Sequence, residues 1–132
     1  VFVNRGYIVK SSDIIDRGYG EVFDFLKSNI SFNGDVVTNP PFKYALEFVK
    51  KSLISVTKGR LVIMMLRIQF LESKSRKKFF MKYPPKYVYV HSDRANTWKN
   101  NDKEKYKDVS ALCYCWIVWE KGYRGNSILK WI

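Results

Sequence analysis

The chain has 132 residues, 46% of them hydrophobic and 17% aromatic, enough for one packed domain and too apolar for a disordered chain. Its net charge of +12, from 24 Lys and Arg against 12 Asp and Glu, implies attraction to polyanions and says nothing of fold. The apolar run from Leu61 to Leu66 is far too short to span a bilayer, and the first residues lack a charged start and an apolar h-region, so neither a membrane span nor a signal peptide is expected.

Taken in chain order, Tyr7 to Ser12 reads as a strand ending near Asp13, followed by a loop through Asp16-Arg17-Gly18-Tyr19-Gly20. Val22 to Leu26 is a short apolar element, a strand or a helical turn. Asp35 to Thr38 is a buried strand closed by Pro40-Pro41. Ala45, Leu46, Phe48, Val49, Leu53 and Ile54 give residues 43 to 56 the spacing of an amphipathic helix, with Lys58-Gly59 ending it. Arg60 to Leu66 is continuously apolar, as a parallel strand buried on both faces requires. Glu72 to Lys82 predicts a basic helix stopped by Pro84-Pro85, and Tyr87 to Val90 a strand. Residues 96 to 108 read as a long polar loop, and Ala111 to Trp119 as the last long strand. Strands alternating with helices predict an α/β domain, spanning 1 to 132, with a mainly parallel sheet.

The chemistry-bearing features are few. Asn39-Pro40-Pro41-Phe42 closes a short strand with a stiff, non-helical corner, because two prolines fix two φ angles and remove two donors. The corner offers carbonyl oxygens, an amide and an aromatic ring, which together suit a planar base carrying an exocyclic amine. A tight turn leading into a helix is the plainer reading of the same four residues. Residues 72 to 107 hold eleven basic and four acidic side chains, interleaved with Tyr83, Tyr87, Tyr89, Trp98 and Tyr106. That is the composition of a nucleic-acid surface or of a well-solvated face. Cys113 and Cys115 are too few for a zinc site and, two apart on a strand, badly placed for a disulfide; buried, reduced thiols are expected. The single His91 has no nucleophile context, and no catalytic triad, metal cluster or phosphate-binding loop is present.

The Asn-Pro-Pro-Phe tetrapeptide resembles the (Asp/Asn/Ser)-Pro-Pro-aromatic signature of amino-group DNA methyltransferases. Over nearly its whole length the chain is similar to small phage and prophage-type N6-adenine DNA methyltransferases, which use S-adenosylmethionine. The resemblance implies a Rossmann-like methyltransferase sheet flanked by helices. It places Asp13, with Ile14 beside it, at the cofactor ribose. It places Asp24 at the cofactor adenine amine with Phe25 against the ring, and gives Asn39 a share in cofactor binding. Asn39, Pro40, Pro41 and Phe42 become the catalytic corner, with DNA as partner, the target adenine flipped out and stacked on Phe42, and no metal needed. Residues 66 to 72 and 82 to 90 resemble later strands and loops of the family, and residues 116 to 123 its final strand. Arg94, Trp98, Lys99 and Lys103 are expected to approach the nucleic acid. The family's first strand and its Gly-rich cofactor loop have no counterpart ahead of Asp13, so the resemblance implies an N-terminally truncated domain that binds S-adenosylmethionine weakly or not at all by itself. A cytoplasmic location, in a bacterial or phage-infected cell, goes with it. Non-catalytic nucleic-acid binding and amino-group methylation of RNA or of a protein glutamine remain the alternatives.

Overall fold

A computed structural model describes residues 1–92 and 113–132. These residues fall into two compact units, Val1–Ile30 and Ser31–Ile132.

In the first unit a 3-10 turn, Val3–Arg5, ends at Gly6. Two short strands follow, β1 (Ser12–Asp13) and β2 (Glu21–Val22), which pair in parallel. The strand expected from Tyr7 to Ser12 is thus reduced to its last residue plus Asp13. The reason is visible in its apolar residues: Ile8 is fully exposed and Tyr7 largely so. With no sheet face to bury them, alternation alone does not make a strand. Gly20 has a φ of 85°, and a Cβ there would lie 2.6 Å from the Ser11 carbonyl oxygen. Its bare backbone lets the loop close back on β1. Downstream of β2, Lys27 and Ser28 donate backbone N–H groups to the Asp24 carbonyl, so the apolar element is a two-residue strand followed by a helical turn.

The second unit is a sheet with helices on it. β3 (Val36–Thr38) leads through a 3-10 turn, Phe42–Tyr44, into α1 (Ala45–Ser55). β4 (Leu61–Arg67), a 3-10 turn (Ile68–Leu71), α2 (Lys74–Lys82) and β5 (Tyr87–Val90) follow, then β6 (Tyr114–Glu120) and β7 (Ile128–Trp131). The strand order is β3-β4-β6-β5-β7. β3 and β4 are parallel, as are β5 and β7, while β6 runs antiparallel to both β4 and β5. The expectation of a mainly parallel sheet is therefore corrected to a mixed one. The α1 crossover returns the chain in the direction of β3, and β6 then enters the gap between β4 and β5 from the other end.

The core lies on one face of this sheet. Val62, Met64 and Leu66 of β4 are completely buried against Val49, Leu53 and Val56 from the α1 region, with Cys115, Ile117 and Trp119 of β6 and Val88 of β5 beside them. Each such side chain contributes about 1.5–3 kcal/mol by leaving water. Leu61, Ile63, Met65 and Arg67 point to the other face and are only half-buried. β4 is thus covered fully on one face, not on both, and its unbroken apolar run conceals a period of two.

On α1, Ala45, Val49, Ser52 and Leu53 face the sheet. Ile54, expected on the apolar stripe, is 75% exposed because it lies on the opposite side of the helix. The helix stops at Val56, which is extended, before Gly59 is reached. The Lys121 ammonium caps it, donating to the carbonyls of Ile54 at 3.2 Å and Val56 at 2.5 Å. Gly59, with φ of 84°, serves instead the turn into β4.

Arg76 of α2 pins the preceding turn by donating to the carbonyls of Phe70, Gln69 and Glu72. Phe70, Phe79 and Phe80 meet edge to face, and Trp119 meets Phe70 the same way. The Trp119 indole N–H donates to the Tyr83 carbonyl at 3.2 Å, just before the prolines that end α2. β7 was not expected from the sequence, and residues 116–123 are not the final strand. All four of its residues are exposed, so no alternation marks it. It is held by its ladder to β5 and by Ser127 Oγ donating to the Pro85 carbonyl. Cys115 is buried, and burial pushes its thiol up to about 11, but Cys113 is exposed, which corrects the expectation of two buried thiols.

Candidate functional site

The Asn-Pro-Pro-Phe corner sits immediately beyond the carboxyl end of β3. Two polar ties align the starts of β3 and β4: the Asp35 carboxylate accepts the Leu61 N–H at 2.9 Å, and Asn33 Oδ1 accepts from Arg60 and Thr57. Because the strands run parallel, with Thr38 opposite Met64, their carboxyl ends emerge side by side. Asn39 is exposed, and its amide forms no hydrogen bond among the described residues. Pro40 is buried and anchors the corner, and its carbonyl likewise accepts no backbone hydrogen bond among the described residues. Pro41 has a ψ of 123° and gives its carbonyl to the Tyr44 N–H at 2.9 Å, which starts the turn into α1. The corner therefore presents one amide and one carbonyl to incoming donors on a backbone that cannot relax.

Phe42 is 37% exposed. Its ring lies 5.8 Å from that of Tyr114, tilted by 35°, and the Arg67 guanidinium carbon stands 4.6 Å from its centroid. Arg67 ends β4 directly opposite Tyr114, which starts β6. Three strands thus converge on one aromatic ring. Arg67 and Tyr114 were not singled out from sequence. The available signal was the lone charge closing the apolar run of β4, next to the strand that carries the corner.

The carboxylates expected at the cofactor lie in the first unit and are engaged locally. Asp13 accepts the Ile15 N–H at 3.1 Å and binds the Arg17 side chain at 2.8 Å. Those hydrogen bonds, first from the Ile15 backbone and then from Arg17, hold its carboxyl below the usual range. Ile14 beside it is exposed. Asp24 accepts the Leu26 N–H at 3.0 Å and approaches Lys27 at 3.5 Å, with Phe25 half-buried next to it. Both acids thus cap turns, the plainest role a loop Asp can take.

Of the basic run, Lys74, Lys77, Lys78 and Lys82 are exposed along α2. Arg76 is committed to backbone carbonyls, and Lys86 pairs with Glu120 at 2.6 Å. Arg94, Trp98, Lys99 and Lys103 lie outside the described residues. Among the described residues no cluster of three His, Cys, Asp or Glu could hold a metal, and no helix is long and apolar enough to cross a membrane. A groove of about 410 Å³, lined by Leu53, Phe79, Tyr83, Trp119 and Tyr123 among others, lies at the opposite end of β4 and β6 from the corner.

No protein-family description matches the sequence, and no curated protein matches it either.

Proposed function

We propose that the chain carries the catalytic corner of an S-adenosylmethionine-dependent methyltransferase acting on the exocyclic N6 amine of adenine in DNA, within a Rossmann-like sheet. The observation that carries this reading is the pairing of an exposed Asn39 amide and a Pro40 carbonyl, both without a hydrogen-bond partner among the described residues, beside the half-open ring of Phe42. In open α/β sheets ligands bind just beyond the carboxyl ends of strands, and that is where the corner lies.

The chemistry needs little beyond positioning. The adenine N6 lone pair is delocalised into the ring. Hydrogen bonds from N6–H to Asn39 Oδ1 and the Pro40 carbonyl localise it and aim it, without a metal or a strong base. The amine nitrogen gains a methyl group and loses one proton to solvent. Bound S-adenosylmethionine supplies that methyl as an already activated sulfonium group. The exposed lysines of α2 and the net charge of +12 favour a polyanionic substrate over a peptide glutamine.

The test is competition between two oligonucleotides, one containing adenine and one containing purine, which lacks only the 6-amino group. The parent protein should prefer adenine by roughly tenfold, one lost charge-free hydrogen-bond pair in a partly shielded site. Asn39→Ala should reduce the preference to the share that the Pro40 carbonyl supplies. Equal binding by the parent would reduce the corner to a structural turn.

A further inference from the structure

We infer that Arg67 is an anion-binding residue of the corner, placed to take the phosphate that flanks the base on Phe42, and so selects a nucleotide over a free base, a nucleoside or an amide side chain. The observations concern charge and partners. Arg67 is half-buried at the end of a central strand, and its Nε is buried without a hydrogen-bond partner among the described residues. It belongs to none of the ion pairs among the described residues. Its guanidinium carbon stands 4.6 Å from the centroid of the Phe42 ring. A guanidinium is always charged and carries five donors in a fixed fork. Taking it partly out of water without an acceptor is unfavourable, and a ring face replaces only a fraction of the lost hydration. The other arginines with short contacts differ: Arg76 donates to three carbonyls, Arg60 to Asn33, Arg17 to Asp13 and Arg124 to the Lys82 carbonyl.

With the corner as the base site proposed above, the geometry gives this unspent charge a task. A base that stacks on Phe42 must approach the ring that the guanidinium covers. Its own phosphate, a few bonds from the ring, then comes within reach of the fork. Entry of a nucleotide would exchange a cation–π contact for a charge-assisted, bidentate hydrogen bond, which is the stronger of the two. A glutamine side chain or a nucleoside offers no anion and leaves Arg67 as it is. The same chemistry could be met by the carboxylate of S-adenosylmethionine, and the measurement separates the two.

The experiment uses fluorescence anisotropy with a labelled single-stranded adenine oligonucleotide over a series of salt concentrations, for the parent, Arg67→Met and Arg67→Lys. Unlabelled dAMP and deoxyadenosine serve as competitors, and calorimetry reads S-adenosylmethionine binding. Arg67→Met should reduce the magnitude of the salt slope by about 0.7, one phosphate contact on a single strand. It should also remove a roughly tenfold preference of the parent for dAMP over deoxyadenosine. Arg67→Lys should keep the slope, since it keeps the charge, and its folding vouches for the site if the Met variant is unstable. Asn39→Ala should keep the slope and weaken only the adenine-over-purine preference, so failure of the base reading is seen separately from failure of this one. An unchanged slope in Arg67→Met, no dAMP preference in the parent, or loss of S-adenosylmethionine binding with the slope intact would each overturn the assignment.

Discussion

Removing the Phe42 ring tests the convergence of three strands at the corner. The ring is 37% exposed, so nearly two thirds of it is shielded. A fully buried Phe→Ala costs about 3–5 kcal/mol, which scales to about 2–3 kcal/mol for Phe42→Ala. Part of that cost is the pair with Arg67, whose guanidinium lies 4.6 Å from the centroid. Such a contact contributes about 0.5–1 kcal/mol at a partly exposed position. A double-mutant cycle isolates it: Phe42→Ala, Arg67→Met and the double variant, each unfolded in urea at equal salt. The stability losses of the single variants should exceed that of the double variant by about 0.5–1 kcal/mol in sum. Arg67→Met alone should cost little, because removing a charge without an acceptor offsets the lost contact. A coupling near zero, or a loss below about 1 kcal/mol for Phe42→Ala, would refute the reasoning that the ring is held by Arg67 and Tyr114.

Other outcomes follow from single residues. Ser52 is fully buried and its hydroxyl has no partner among the described residues, so Ser52→Ala should raise stability by about 1 kcal/mol in urea unfolding; a loss would show that the hydroxyl has an acceptor. A thiol reagent at pH 8 should label Cys113 and spare Cys115 until the protein unfolds, because Cys115 is buried and its thiol is pushed up to about 11; rapid labelling of both would contradict its burial. The hydrogen bond to Glu120 raises Lys86 above its ordinary 10.5, so the stabilisation is fully present below that value and is lost as pH rises through the raised one. The gap in melting temperature between the parent and Glu120→Gln should accordingly begin to narrow as pH passes 10.5 and close only above the raised value, and a gap that does not narrow at all above pH 10.5 would show that the pair is not the cause.

Much of the second unit was legible because its signals are local. The prolines mark the ends of β3 and α2, and the apolar period places α1, all within a few residues of their observed bounds. β5 was legible to the residue, since Tyr-Val-Tyr-Val lies between a Pro pair and a polar stretch. Strand direction was not legible, because Tyr114 to Glu120 reads the same whether it runs with its neighbours or against them. β7 escaped because an edge strand with every side chain in water has no pattern to read. In the candidate site the corner itself was plain in Asn39-Pro40-Pro41-Phe42, where covalent geometry dictates shape. Arg67 and Tyr114 were hidden, since they reach Phe42 only through the pairing of β4 with β3 and β6. The local engagement of Asp13 and Asp24 in turns was foreseeable from the chemistry of Asp in loops, and it makes their sequence signal ambiguous by nature.

The central claim, that the corner at Asn39 presents an adenine amine for methylation, is tested most directly by the product. The protein expressed from its full reading frame would be incubated with isotope-labelled S-adenosylmethionine and duplex DNA, the DNA digested to nucleosides, and the label located by mass spectrometry. The account predicts labelled N6-methyldeoxyadenosine, falling by about 100-fold or more in Asn39→Ala while the variant's unfolding midpoint stays within about 0.5 kcal/mol of the parent. Label in no nucleoside, or an Asn39→Ala variant that turns over like the parent, would contradict it.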